Sequence, residues 1–399
     1  MSSSLEKVVG RRLRWYRTQR GKSQAVIAGL AGLHPEYLGQ VERGHRTPSL
    51  SALEALAKVL GVSVADLVSD FPERRPSSLR TDLGSGLHQA LMAPVPVAPE
   101  GGAPGVAELS RQVRHAWFTW QNREDRYTRL AGTIIDLVTD IRRRSESMAA
   151  GEDAHKVACE GYFLLRTFAR RIGRSDLALI AADRGKAAAD RLSSPVYTAG
   201  AQWNIAHALL AQDEPEAAED VALAAVDAAE RHPEGSKELT ALSGALWLTA
   251  AVAAARSNRG RMARKRVHGQ AVAASGRTGE GNVLWTAFGP ANVALHAMYV
   301  ELEDGATADA LRIAAGVDPA PLPSRERHTT FFLDVARCYH QSQDEDAAVV
   351  HLLKAERTSP EDLRYDPVAH DVVRGVLKHA RRSLAPQVHR LAERIGLTG

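Results

Sequence analysis

The chain has 399 residues, 51 Lys+Arg against 47 Asp+Glu, and 44% apolar side chains; at roughly 150 residues per domain this argues against one continuous core and predicts two or three domains. Two cysteines, Cys159 and Cys338, exclude a disulfide framework or a four-thiolate zinc site and make a reducing cytosol the simplest compartment. The net charge of +4 is too small to signal nucleic-acid binding by itself, but it is uneven: residues 1–75 carry 12 basic and 7 acidic side chains, against 39 and 40 in the remainder.

The first twenty residues hold charges and no apolar run, so no signal peptide is expected. Leu5, Val8, Val9, Leu13 and Tyr16 recur at helical spacing and predict a first helix that Gly21 ends. Ser23 caps a short second helix, Gln24–Ala31, which stops at Gly32, and Pro35 opens a third that runs through Glu42 to Gly44. Two short helices joined by a turn form a helix-turn-helix. Ser49 caps Leu50–Leu60, and Ser63 with Asp66 has the capping-box spacing that opens a last turn through Leu67. Residues 1–70 are thus one small domain.

Seven of the twelve residues from Pro94 to Gly105 are Pro or Gly, a composition that sustains neither helix nor strand. With a weaker break at Phe71–Pro76, residues 71–105 are read as a linker that has room for one short helix in Ser77–Met92.

Residues 106–399 read as helix pairs separated near Gly151, Ser193–Pro195, Pro233–Gly235, Gly276–Gly281, Pro319–Pro323 and Ser359-Pro360. The uncharged stretches Leu239–Ala255 and Val283–Val300 carry small and polar residues, so they are expected to be buried helices and not membrane spans. Pairs recur about every 40 residues, the period of a helical solenoid. The tetratricopeptide (TPR) pattern places small, aromatic and bulky residues at fixed offsets, and from Ala336 the chain supplies Tyr339, Ala348, Leu352, Ala355 and Pro360. From Ala206 it supplies Leu209, Ala218, Ala222 and Ala225; from Ala251, Ala263 and Val267 fit but Gln270 does not. The fold class is therefore all-α, with six or seven TPR-like units whose first helices line a concave groove. Residues too large or too polar for the seam are candidates to meet a ligand there: Arg184, Trp203, Asn204 with His207, Trp247, Trp285, Phe288, Asn292 and His296. The nearer alternative for each is a core role.

Gly21 followed by Ser23-Gln24, the Leu38 and Val41 pair, Glu42-Arg43-Gly44, and Pro48-Ser49-Leu50 before an Ala-Leu helix resemble the XRE family, the lambda-repressor-like helix-turn-helix, over residues 8–69. The resemblance implies a five-helix DNA-binding domain whose third helix enters the major groove. Aligned with the family, His34, Pro35, Glu36, Gly39 and Gln40 face the bases. Gln40 suits adenine, Glu36 suits a cytosine amino group, and Gly39 leaves room for a backbone or a thymine methyl. Gln24 would anchor on a phosphate or the first base, with Arg43, Arg46 and Arg12 on flanking phosphates. Arg17 and Glu42 occupy the positions of a semi-buried ion pair, and Arg11, Arg14 and Arg20 read as a solvated face. His34 replaces the usual Ser or Thr cap, and Lys22 an apolar residue.

Ala181–Arg184, Phe288-Gly289-Pro290 before Asn292-Val293, and Leu352-Leu353 with Ala355-Glu356 before Ser359-Pro360 resemble the C-terminal halves of actinobacterial XRE regulators with TPR-like sensors. A looser similarity of organisation is to Gram-positive peptide-pheromone regulators, which bind a peptide in the solenoid groove. Together these imply a sequence-specific transcriptional regulator, a symmetric homodimer on an inverted-repeat operator, with a peptide or small-molecule effector. It would be cytoplasmic and nucleoid-associated, without a membrane partner or cofactor. The alternative is a scaffold recruiting a protein partner, tethered weakly to DNA. No P-loop, G-x-G-x-x-G, H-E-x-x-H or G-x-S-x-G occurs, so no enzyme is expected. Cys338 and His340, two apart on a helix, do not share a face for a metal.

Overall fold

The computed structural model describes residues 5–68, 83–95, 103–147, 150–232, 236–257, 259–379, 381 and 384–397. The Phe71–Pro76 and Pro233–Gly235 breaks lie outside these residues. Among the described residues every regular element is helical.

The head comprises α1 (Leu5–Gln19), α2 (Gln24–Leu30), α3 (Pro35–Glu42), α4 (Leu50–Leu60) and α5 (Val64–Val68). Its caps form as the sequence predicts: the hydroxyls of Ser23 and Ser49 accept from Val26 N and Ala52 N, and Asp66 accepts from the amide and hydroxyl of Ser63. The apolar stripes converge on a core of Leu13, Ile27, Leu38, Val41, Leu56, Leu60 and Leu67. Gly32, at φ 68°, makes the turn between α2 and α3, a conformation that a side chain would strain.

The segment read as a linker holds a packed helix, α6 (Gly84–Met92). Leu83, Leu87 and Leu91 enter the first core of the body, and Arg142 donates from Nη1 to the carbonyls of Ala90 and Ala93, both at 2.7 Å. Burying three leucines against a preformed surface stabilises a nine-residue helix that would be marginal alone.

The body follows as α7 (Val106–Asn122), α8 (Arg126–Ala131) and α9 (Ile134–Ser145), then the hairpin α10 (Glu152–Arg171) with α11 (Ser175–Ala189), and α12 (Pro195–Ala211) with α13 (Pro215–Glu230). After α14 (Lys237–Arg256) the return helix is split into α15 (Gly260–Lys265) and α16 (Val272–Thr278). Three further units follow: α17 (Pro290–Glu303) with α18 (Thr307–Ala315), α19 (Arg325–Gln341) with α20 (Glu345–Thr358), and the short α21 (Pro360–Tyr365) before α22 (Pro367–His379) and α23 (Ala385–Arg394). Each first helix packs on the next first helix, so α10, α12, α14, α17, α19 and α22 form the inner layer of a TPR-like solenoid.

Alanine at the seam lets the layers approach. Ala206, Ala218, Ala222, Ala336, Ala348 and Ala355 are all fully buried. α14 is apolar on nearly every face because helices cover it on all sides. It is the one described helix long and apolar enough to cross a membrane, and 78% of that window is buried in the protein. The misfit at Gln270 has a local cause. Residues Arg266–Ala271 form a π-helical turn, which shifts the register by one residue; Ala271 takes the buried position and Gln270 faces solvent.

The Val283–Val300 stretch is not one helix. A 3-10 turn at Val283–Trp285 precedes α17, and Leu284, Trp285 and Ala287 have positive φ. This loop places Trp285 on Trp117 of α7, stacked at 5.1 Å between centroids, and seats Phe288 on Gly244 of α14.

The solenoid also curls back on itself. Arg325 Nε donates to Asn122 O at 2.7 Å, Trp120 Nε1 to Glu326 at 3.3 Å, and Tyr127 N to Glu361 at 2.7 Å, while Arg126 pairs with Asp362. The end of α7 and the start of α8 thus meet α19 and α21, so the inner face is bridged between these helices.

A Cβ on Gly244 would lie 2.0 Å from Phe288 Cζ. Gly244→Ala should therefore lower stability by about 1–3 kcal/mol through overpacking, read as a lower urea midpoint of the full chain.

Candidate nucleic-acid interface and solenoid interior

A buried ion pair ties the helices of the head together beside its apolar core. Arg17 Nε and Nη2 donate to the two oxygens of Glu42 at 2.6 and 3.0 Å, and Arg17 Nη1 donates to Lys22 O at 2.8 Å. Both side chains are at most 2% exposed. The bidentate geometry fixes α3 against α1 and the turn after it.

Gln24 is drawn into the same lock: its Nε2 donates to Glu42 Oε2 at 2.7 Å, so half of its amide is spent inside the head. Gly39 is buried, and a Cβ there would meet Gln24 Oε1 at 3.2 Å and Arg43 Nη1 at 3.3 Å. What Gly39 accommodates is these two side chains, not a thymine methyl. Arg12 is only 5% exposed, which removes it as a phosphate contact; its helix phase turns it into the head.

The remaining residues form the exposed edge of α3. His34, Pro35 and Glu36 are exposed and Gln40 is half-buried. His34 works as a cap although it is neither Ser nor Thr: its Nδ1 accepts from Glu36 N at 3.3 Å. Arg46 is exposed and lies over the Tyr37 ring, 4.7 Å from the centroid, which steadies a long side chain beside the helix. Arg43 and His45 share a cleft of about 480 Å³ with Glu216, Glu219, Asp220, Ser257 and Arg259 of the body.

The rest of α1 does not face solvent as its arginines suggest. Arg14 Nη2 donates to Ala255 O at 2.9 Å and Glu303 Oε2 at 3.0 Å, Trp15 Nε1 donates to Asp371 at 3.3 Å, and Arg11 lies 3.8 Å from Asp213. Asp213, Ala255 and Glu303 stand at the C-terminal ends of α12, α14 and α17. Helix C-termini carry partial negative charge, and the cationic face of α1 lies across them. Burial alone would raise Glu303, but Arg337, Arg14 and Arg256 beside it hold its carboxyl down at about 2.

The solenoid candidates divide. Trp203, Asn204 and His207 of α12 and His296 of α17 border one interior space. The Trp203 and His207 rings are 4.3 Å apart, Arg166 of α10 lies over Trp203 at 4.9 Å, and Asn204 Oδ1 accepts from Arg166 Nε at 2.7 Å. Asn292, one turn before His296, is buried with Oδ1 unpartnered. The other candidates lie elsewhere. Phe288 is 1% exposed in the core with Gly244; Trp285 stacks on Trp117; Trp247 borders a separate cleft between α13, α14 and α16. Arg184 donates to Leu91 O at 2.7 Å and Glu146 at 3.0 Å, and so secures α6. The sequence reading missed Arg166, Arg170 and Arg327, which share this interior with His207 and His296.

A helix-turn-helix with an exposed third helix defines a DNA-binding domain. A family described as "Helix-turn-helix domain" matches residues 8–69. The chain is 35% identical over 69 residues to an uncharacterized HTH-type transcriptional regulator of Sinorhizobium fredii, covering 17% of this chain and 90% of that protein. It is 40% identical over 62 residues to the immunity repressor of Bacillus phage phi105, covering 16% of this chain and 43% of the repressor. The chain therefore belongs, through its head, to the HTH-type transcriptional regulators. A Rap protein solved with competence and sporulation factor superposes at a TM-score of 0.40 and 12% identity over 98% of this chain and 99% of that one, too loosely to inform function.

Glu42→Ala should destabilise the head by about 3–5 kcal/mol, because it strands the buried Arg17 guanidinium. The check is loss of hydrogen-exchange protection in α1 and α3 with the solenoid core unaffected.

Proposed function

We propose that this chain is a sequence-specific DNA-binding transcriptional regulator whose head reads the major groove with α3, and whose solenoid serves dimerisation, ligand sensing or both. The observation that carries the reading is the edge of α3. Glu36 and Gln40 project away from the core pair Leu38 and Val41, on a helix fixed by the Arg17–Glu42 pair.

In this reading Gln40 pairs with adenine and Glu36 accepts from a cytosine amino group. His34 and Pro35 pack beside the bases, and Arg46 meets phosphate. Gln24 contributes only its amide oxygen, since its nitrogen is tied to Glu42. Arg43 stands between two anionic surfaces, the carboxylates of its cleft and a phosphate strand, so DNA binding exchanges one for the other. A single small head buries too little surface for a tight operator complex, which supports a symmetric dimer on an inverted repeat. The domain limits follow: a head over 1–70, a connecting segment over 71–105 that includes α6, and a sensing or dimerising body over 106–399.

Fluorescence anisotropy on a selected operator and on random duplex separates specific reading from a non-specific tether. Gln40→Ala should cost about 1–3 kcal/mol on the operator alone, whereas Arg46→Ala should weaken both duplexes and reduce the salt slope by about 1. If Gln40→Ala weakens both duplexes equally, the head is a tether and the scaffold reading replaces this one.

A further inference from the structure

The inner face of the curled solenoid gathers more positive charge than it balances. Five guanidiniums, from Arg126, Arg166, Arg170, Arg171 and Arg327, stand around three carboxylates. Two of the five are well served. Arg171 donates to Glu326 and, at 3.0 Å, to Asp366, while Arg126 pairs with Asp362 and donates to Trp120 O at 3.1 Å. These contacts engage Glu326 and Asp366 and one oxygen of Asp362, whose Oδ2 stays without a hydrogen-bond partner beside Arg126. Asp334, the next acid acting on Arg327, is pushed up to about 7 by burial and is only partly charged at neutral pH.

Arg166, Arg170 and Arg327 are left. Arg166 is 2% exposed, forms no ion pair among the described residues, and has an unpartnered Nη2. Its side-chain hydrogen-bond partner among the described residues is the neutral amide of Asn204, itself oriented by a 2.8 Å bond from Nδ2 to Gly200 O, and its guanidinium lies over the Trp203 ring. Arg170 reaches Glu326 only at 3.5 Å and has an unpartnered Nε. Burial, then repulsion from Arg170 and Arg327, pulls the Arg166 guanidinium down to about 9. His207, pressed by burial and by Arg166, Arg170 and Arg327, is held well below its ordinary value. Burial and Arg327 take His296 down to about 4.

These groups repel one another across one space, and the neighbouring histidines stay neutral because a further cation there is unfavourable. A buried, unpaired guanidinium is costly, and a planar fork of donors matches an oxyanion. Arg170 keeps a third of its side chain accessible, which gives a solute entry. The curled solenoid, closed by α7 and α8 against α19 and α21, favours a small molecule over an extended chain.

We propose that the space between α10, α12, α17 and α19 binds a small oxyanion, the carboxylate or phosphate group of a small molecule, through Arg166, Arg170 and Arg327. This deepens the sensing part of the regulator reading. Its test reads anion binding without DNA, so the two readings fail separately.

The experiment compares the full chain and Arg166→Gln in thermal unfolding, with inorganic phosphate or citrate against sodium chloride at equal ionic strength. Wild type should gain about 3 °C or more from phosphate or citrate beyond chloride, as expected for ligand well above its Kd. Arg166→Gln should lose that gain and, without added anion, melt at or above the wild-type temperature. A response to phosphate only, or to citrate only, identifies the headgroup. If neither moves wild type beyond chloride, or both proteins respond alike, the site is refuted. Should Arg166→Gln not fold by circular dichroism, Arg327→Gln and equilibrium dialysis of wild type with labelled phosphate and with labelled citrate take its place. Dialysis that finds neither anion bound to the chain then overturns the proposal.

Discussion

The bidentate contact between Arg17 and Glu42 sets what the rest of the molecule can do. It joins α1 to the last residue of α3, and through the third donor of Arg17 it also holds the turn at Lys22. Because both partners are buried, neither can leave without stranding a charge. The consequence is a third helix whose exposed side chains keep fixed directions. The same α1 that carries Arg17 inward presents Arg14 and Trp15 to the body, so the lock inside the head also sets how the head meets the solenoid.

The body is governed by residue size. Alanine along the seams lets successive hairpins approach closely, and Gly244 leaves the space that Phe288 fills. Close stacking produces curvature, and here the curvature brings α7 and α8 back to α19 and α21. Charged groups complete the closure, and it is the arginines left unbalanced by it that give the interior its anion preference. Packing and electrostatics thus act in sequence.

Much of the head was legible because its signals are local. Ser23, Ser49, Ser63 and the glycines after each helix mark boundaries within one turn of the residues they control, and Arg17 with Glu42 could be paired by resemblance. In the body, the offsets from Ala336 and Ala206 located the seams, because a repeat imposes the same size rule at each turn. Gln270 escaped because a π turn adds a residue that no size pattern announces. The segment of α6 read as a linker with room for one short helix, but its packing into the body escaped because that rests on leucines meeting helices far along the chain, and the segment lies among prolines and glycines. The positive φ values at Leu284, Trp285 and Ala287 belong to residues with no sequence bias toward that region.

The candidate sites followed the same division. The exposed edge of α3 could be read from helical phase, but the inward turn of Gln24 and Arg12 and the covering of Gly39 depend on contacts between helices. In the solenoid, tryptophans drew attention by size; Phe288 packs in the core and Trp247 borders a separate cleft. Arg166, Arg170 and Arg327 drew none, because an arginine on an amphipathic helix ordinarily faces water; Arg166 and Arg170 share a face of α10 by their four-residue spacing, and only the long-range packing brings Arg327 to them.

The central claim is that the fixed edge of α3 reads sequence. Selection of bound duplexes from a random pool by the purified full chain tests it most directly. The account predicts enrichment of an inverted repeat whose half-sites lie one helical turn or more apart, each with an adenine placed to meet Gln40. Recovery of duplexes with no shared motif after repeated rounds would contradict it.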